Sequence, residues 1–250
     1  MKSLAVFYPE GHEAHVLSGH PERPARVEAV QEGLQQAGYW QEALQVEPEP
    51  LSEELLNLVH RGDYLDRVRR MSAEEKSLDL DTYTTEASWH LARRAAAGGI
   101  AVARSVWEGR AGAGFALTRP PGHHATRERG MGFCLLNNVA LAAEDLIQNM
   151  GVQKLAIVDI DLHHGNGTQD IFWDRDDVFY FSSHQHPYYP GTGGMDERGV
   201  GVGEGWTLNV PLPAGSGDQA YQAVCQEVLL PALDPRRPGV NLESDGLDAH

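Results

Sequence analysis

Cysteine is almost missing from this chain: two residues in 250, Cys134 and Cys225, with no CxxC spacing. A disulfide framework and a thiolate zinc cluster are therefore excluded. Long apolar runs are missing as well. The stretch over residues 4–8 is shorter than the apolar core of a secretion signal, and nothing approaches the length of a membrane span. The expected location is the cytoplasm, with no membrane partner. Basic residues are outnumbered, 20 Lys and Arg against 36 Asp and Glu, which gives a formal net charge of −16. Nucleic acids and anionic surfaces attract basic proteins, so neither is an expected partner. Such a charge favours a cationic ligand weakly, since solubility alone accounts for it at least as often.

What is present reads as one globular domain over residues 1–250. The hydrophobic content of 41% suffices for a sizeable core, and no repeat, low-complexity tract or linker interrupts it. Short apolar runs predict strands over 4–8, 114–117, 154–160, 178–182 and 208–210. Longer periodic stretches predict helices over 23–36, 86–108, 138–150 and 220–233. This alternation is the signature of an α/β fold, a parallel sheet covered by helices. The second helix contains Gly98-Gly99, which costs about 1 kcal/mol per glycine relative to alanine; close packing against a neighbour is the expected compensation. Three strands run directly into polar, glycine-rich loops: "TRPPGHHATRERGMGF", "DLHHGNGTQD" and "SSHQHPYYPGTGG". Sites in open parallel sheets form at the carboxyl ends of strands, so these loops predict one shared site.

The segment "VDIDLHHGNGTQD" (158–170) carries the sharpest signal. Along an extended chain Asp159, Asp161 and His163 point to one side, and Ile160 and Leu162 to the other. Two carboxylates on a buried face need a cation nearby, and the segment has no Lys or Arg, so a metal ion is expected. Asp161 and His163 are candidate ligands. A catalytic zinc takes three protein ligands and leaves one position open, and the mixed oxygen and nitrogen set also admits iron(II). In "RPPGHHA" (119–125), prolines and glycine hold His123 and His124 on stiff backbone. Imidazoles near neutral pKa can act as base and acid for hydrolysis, with Asp159 and Asn166 available to fix their tautomers. The aromatics of "HPYYPGTGG" and Phe133 of "MGFC" suggest a narrow slot for a long unbranched side chain.

Together "HPERPARV" (20–27), "RPPGHHA", "GFCLLNNVA" (132–140), "VDIDLHHGNGTQDIF" (158–172) and "YYPGTGG" (188–194) resemble the histone deacetylase and acetylpolyamine amidohydrolase superfamily, in the family's order and in the manner of its class II-like bacterial amidohydrolases. The resemblance implies an arginase/deacetylase-like three-layer α/β/α fold with a mainly parallel sheet. It implies zinc-dependent removal of acetyl groups from acetyl-lysine or an acetylpolyamine. It makes Asp161, His163 and Asp248 metal ligands, His124 the general base and His123 its substrate-binding neighbour. Asp159 stands behind His123, and Asn166 occupies the position where many class I members have Asp. Gly132, Phe133 and Tyr189 match the walls of the acyl-lysine tunnel. Asp159, Asp161, His163, Ser182 and Ser183 fall where the family holds a structural potassium ion.

The final segment, "PGVNLESDGLDAH", departs from the family pattern. Asn241, Glu243 and Asp245 stand where a buried central strand should be apolar, so this end is expected to fray or sit differently. No residue matches the tyrosine that the family places on a later glycine-rich loop to bind the oxyanion. Such donors are worth about 3 kcal/mol, so weak or no activity is expected of these 250 residues, read as a C-terminally incomplete domain. Two alternatives remain: an arginase-type ureohydrolase with two manganese ions, and a module that binds acyl-lysine or a polyamine without turnover.

Overall fold

The computed structural model describes residues 4–246. Contacts divide the chain into two compact units, residues 1–146 and 147–250. The last four positions, and with them the expected ligand Asp248, lie outside the described residues.

In the first unit β1 (Leu4–Phe7) pairs in parallel with β2 (Leu44–Gln45) on one side and β3 (Ala113–Ala116) on the other. Side chains of β1 alternate between two cores, as the two-residue period of a strand requires. Ala5 and Phe7 pack with Val46, Val102 and Ala111, facing α4 (Ser88–Trp107). Val6 packs with Val27 and Leu117, facing α1 (Ala25–Gln36). The sheet is thus sandwiched between helices. Two further helices, α2 (Glu53–Val59) and α3 (Gly62–Ala73), were not expected. Their start signal is nevertheless present: the Ser52 hydroxyl accepts from Leu55 N at 3.1 Å, ahead of Glu53 and Glu54 in the first turn. The helix α5 (Asn138–Met150) begins directly after the loop that carries His123 and His124, and Asp145 on it receives a bidentate pair from Arg104 of α4 at 2.7 Å.

The second unit holds a four-stranded, all-parallel sheet in the order β6-β5-β4-β7. The strands are β4 (Leu155–Asp159), β5 (Val178–Gln185), β6 (Thr207–Leu212) and β7 (Val240–Ser244). Ala156, Val158, Phe179 and Phe181 pack on Val224 and Leu229. Leu155, Ile157, Val178 and Tyr180, on the alternate positions, are equally buried. Near-continuous apolar strands of this kind belong to sheets covered on both faces. Between β4 and β5 lies α6 (Asn166–Phe172), which was expected as loop. The helix expected over 220–233 runs in three pieces: α7 (Asp218–Ala223), a π-helical turn (Val224–Leu229) and α8 (Leu230–Leu233).

Of the two outcomes expected for the final segment, a different position is the one observed over residues 240–244, and fraying is not. The segment is a regular strand, β7, in register with β4 from Leu155↔Val240 to Asp159↔Ser244. It lies at the rim of the described sheet, with Val240 and Leu242 half-buried and Asn241 and Glu243 exposed. The polar residues occupy the exposed alternate positions, so they carry no burial cost.

Gly98 shows the compensation expected of the α4 glycines. A Cβ there would stand 2.2 Å from the Phe7 ring, whereas at Gly99 it would meet nothing closer than Asn138 O at 3.9 Å. Gly98→Ala is expected to destabilise by about 1–3 kcal/mol through overpacking. Gly99→Ala should instead stabilise by about 0.5–1 kcal/mol through helix propensity. Urea unfolding of the two variants checks the opposite signs.

Candidate active site

The loop of the histidine pair is anchored at its root by a buried guanidinium. Arg119, 2% exposed, donates from Nε to Glu22 Oε1 at 2.6 Å and from Nη2 to Glu22 Oε2 at 2.9 Å. It also donates to the His12 and His15 carbonyls and, at 3.2 Å, to the Tyr83 hydroxyl. A buried pair of this kind persists only when the remaining donors are satisfied, and here they are. Further along, Asn138 Nδ2 donates to Pro120 O at 3.0 Å and Asn137 Nδ2 to Ala125 O at 3.1 Å. Gly122 sits so close to α5 that a Cβ would be 2.6 Å from Asn138 N. Between these ties His123 and His124 are buried, with ring centroids 4.0 Å apart and planes tilted by 44°.

His60, at the end of α2, closes the loop from the other side. Its Nε2 accepts from Asn137 N at 3.0 Å, which leaves Nδ1 to donate to Thr126 O at 2.8 Å. Burial lowers its pKa to about 4, and the positive Arg127 adds to the effect, while the bond to Thr126 opposes it. His15, buried beside Arg119, is held at about 3 for the same first reason.

Gly132 and Phe133 form a tight turn closed by Cys134 N donating to Met131 O at 2.9 Å, with positive φ at both, 55° and 69°. A bulky side chain at positive φ carries a strain of about 1–2 kcal/mol. Phe133 is pinned there by its N–H to Thr82 Oγ1 at 3.2 Å and by the edge of the His20 ring at 4.6 Å.

In the second unit the extended alternation expected beyond Asp159 gives way to turns in which each carboxylate receives the amide two residues on. Asp161 N donates to Asp159 Oδ1 at 3.3 Å, and His163 N to Asp161 Oδ1 at 2.8 Å. The outcome for the side chains is still a close pair: Asp161 Oδ1 and His163 Nδ1 lie 3.2 Å apart. Two ligands about 2.0–2.2 Å from one zinc ion stand about 3.3 Å apart in tetrahedral geometry, so this pair fits one edge of such a sphere. Among the described residues no group of three His, Cys, Asp or Glu side chains is placed to hold a metal ion. Asn166 begins α6, its N–H donating to His164 O at 2.9 Å. Asp159 pairs with Ser182 across the β4–β5 ladder, and Asp159, Ser182 and Ser183 are all buried. Tyr188 stacks on the His163 ring at 5.2 Å, and Tyr189 meets it edge-on at 6.0 Å.

The residues that sequence reasoning missed are those that hold these loops. Glu22 and Asn138 lay inside quoted motifs without an assigned part. Gln169 did too, within 158–172, whereas His60 and Glu197 gave no pattern to read.

A parallel α/β protein with histidine-rich loops at strand ends describes a class, and comparison narrows it. The crystal structure of the HDA15 HD domain superposes over 100% of this chain and 74% of its own, with a TM-score of 0.94 and 40% identity. The fold is therefore the arginase/deacetylase-like three-layer one. Residues 20–250 match the histone deacetylase domain. A probable deacetylase of Archaeoglobus fulgidus is 38% identical over 247 residues, covering 98% of this chain and 68% of that protein. The histone deacetylase-like amidohydrolase of Pseudomonas aeruginosa is 38% identical over 235 residues, covering 93% and 62%. The chain belongs to the histone deacetylase family. It spans only part of these relatives' length. No helix among the described residues is long and apolar enough to cross a membrane.

Because His60 is neutral when folded and takes a proton near pH 6.5 when unfolded, the unfolded chain binds more protons between about pH 6.5 and 4. Stability present above that window is lost as pH falls through it. Between pH 7 and 4.5 the unfolding free energy of the wild type should drop by about 2–3 kcal/mol more than that of His60→Gln, which keeps a donor and an acceptor but does not titrate. Urea titrations at the two pH values measure the difference.

Proposed function

We propose that this protein is a metal-dependent amidohydrolase that removes acetyl groups from N-acetylated amines, acetyl-lysine or an acetylpolyamine. The observation that carries the reading is the carboxylate–imidazole pair at the end of β4, 3.2 Å between Asp161 Oδ1 and His163 Nδ1, in a family of deacetylases. These two residues and Asp248 would hold a zinc ion, with iron(II) a second fit to the same donors. When bound, such an ion polarises the acetyl carbonyl and acidifies water.

The chain's own groups would do the rest. His124 takes the proton of the attacking water and later returns one to the departing amine, which leaves as free amine beside acetate. His123 donates to developing charge on the acetyl oxygen. Asp159 and Asn166 fix the imidazole tautomers, a task for acceptors that are themselves held in place. Gly132, Phe133 and Tyr189 line the path of the unbranched side chain, where flat rings admit methylenes and reject branches. Asp159, Asp161, His163, Ser182 and Ser183 would hold a potassium ion, partly by main-chain carbonyls. The net charge of −16 favours cationic substrates such as acetylated polyamines or lysine-rich peptides.

Acetate release from an acetyl-lysine peptide by the zinc-loaded protein decides the matter. Expected are loss of turnover on chelation and a fall in kcat of about 10²–10⁴-fold in His124→Ala. Tight binding of the peptide without chelator-sensitive acetate release would replace the hydrolase by a binding module. Two bound metal ions per chain would point to the ureohydrolase.

A further inference from the structure

The tyrosine-bearing loop has no regular structure, yet one carboxylate gathers its main chain. Glu197 Oε1 accepts from Gly193 N at 3.0 Å and from Gly194 N at 3.1 Å, and Oε2 accepts from Gln169 Nε2 at 2.6 Å. Gln169 lies on α6, next in the chain to the loop of Asp161 and His163. Since a carboxylate only accepts, the Gln169 amide is oriented, and its Oε1 faces Asn209 Nδ2 at 2.7 Å and His164 Nε2 at 3.1 Å. His164 Nδ1 in turn meets Thr192 Oγ1 at 2.7 Å, back on the tyrosine loop. His184 seals the turn by donating from Nε2 to Gly193 O at 3.1 Å. Gly193 has φ 90°, and a Cβ there would stand 2.4 Å from His184 Nε2. Gln169, Asn209, His164 and His184 are all buried. The hydrogen bonds from Gln169 and the two glycine amides outweigh the effect of burial and keep the Glu197 pKa below its ordinary value, so the clamp is an anion at neutral pH.

We propose that Glu197, acting through Gln169 and the Gly193–Gly194 amides, is a positioning residue that fixes Tyr188 and Tyr189 as the rim against which the substrate side chain binds. The inference rests on the deacetylase reading for what those tyrosines contact. It assigns Glu197 to substrate affinity, not to the chemical step, because the clamp holds loop backbone and its side chain is engaged by glycine amides and a glutamine.

The polarity of the network supplies a discriminating test. In Glu197→Gln the new amide can still accept from the two glycines, but its NH₂ faces the NH₂ of Gln169. Turning Gln169 over relieves this only if Asn209 turns over as well, giving up its bond to Glu197 O, and His164 moves its proton from Nε2 to Nδ1, so three buried groups must rearrange. The reciprocal exchange Glu197→Gln/Gln169→Glu satisfies every group again: the amide now at position 197 would donate to the carboxylate now at position 169, which accepts from Asn209 and His164. Three proteins are compared, zinc-loaded, by steady-state deacetylation of an acetyl-lysine peptide and by hydrogen exchange of the Gly193 and Gly194 amides. Expected for Glu197→Gln are a KM raised about tenfold with kcat within about twofold, and amide protection reduced at least tenfold. Expected for the exchange variant is the return of both. An unchanged KM despite lost protection overturns the proposal, as does an exchange variant that stays as impaired as the single one. A fall in kcat at unchanged KM, the mark of a merely structural role, overturns it too. If the wild type releases no acetate, the Kd of the same peptide replaces KM, expected to rise about tenfold in Glu197→Gln, and an unchanged Kd or unchanged protection overturns the clamp; a zinc-loaded wild type that does not bind the peptide at all makes the deacetylase reading fail by itself.

Discussion

Taking the Asp159 and Asp161 carboxylates out of water is the constraint around which the second unit is arranged. Asp159 is fully buried at the last position of β4, and Asp161 lies 5% exposed two residues on. An unpaired carboxylate in such surroundings would cost several kcal/mol, so every nearby group is turned to meet it. The main chain answers first, by folding back so that successive amides donate to the carboxylates. Tyr180 shares its one hydroxyl proton between Gly165 O at 3.0 Å and Asp159 Oδ2 at 3.4 Å. The imidazole of His163 adds a further contact, with Nδ1 3.2 Å from Asp161 Oδ1.

The first unit solves the inverse problem. One of its buried charges is the Arg119 guanidinium, met by the Glu22 carboxylate, two main-chain carbonyls and a tyrosine hydroxyl. A planar donor with a fixed fork is well suited to gather three separate segments, since each acceptor must come to it. The consequence for chemistry is that the loop starting at Arg119 has little freedom before it reaches His123 and His124. In both units the candidate side chains stand on irregular backbone whose order comes from polar ties, with the glycines at positions 122 and 193 allowing close approach.

The motifs were legible because chemistry needs particular residue types at particular spacings. The DxDxH run, the adjacent histidines and the tyrosine pair all stand where strands end, and the strands themselves showed as short apolar runs. Helices α2 and α3 went unread although Ser52 and the acidic first turn announced one of them. The polar residues of 241–245 were read as out of place in a buried central strand, and the strand lies instead at the rim of the described sheet. At the rim of a sheet, alternate residues face water, and Asn241 and Glu243 use that freedom.

Composition, periodicity and motif thus pointed to the class of fold and the family, and named candidate ligands, since these depend on residue identity and on distances along the chain. Tertiary structure alone decided what holds the candidate loops: that Glu22 meets Arg119, that His60 bridges Thr126 and Asn137, and that Glu197 gathers two glycine amides and the Gln169 side chain. Such partners are fixed by where buried donors and acceptors come to face each other in space. A single sequence carries no local pattern for that, because the partner can stand anywhere along the chain that folding brings within reach.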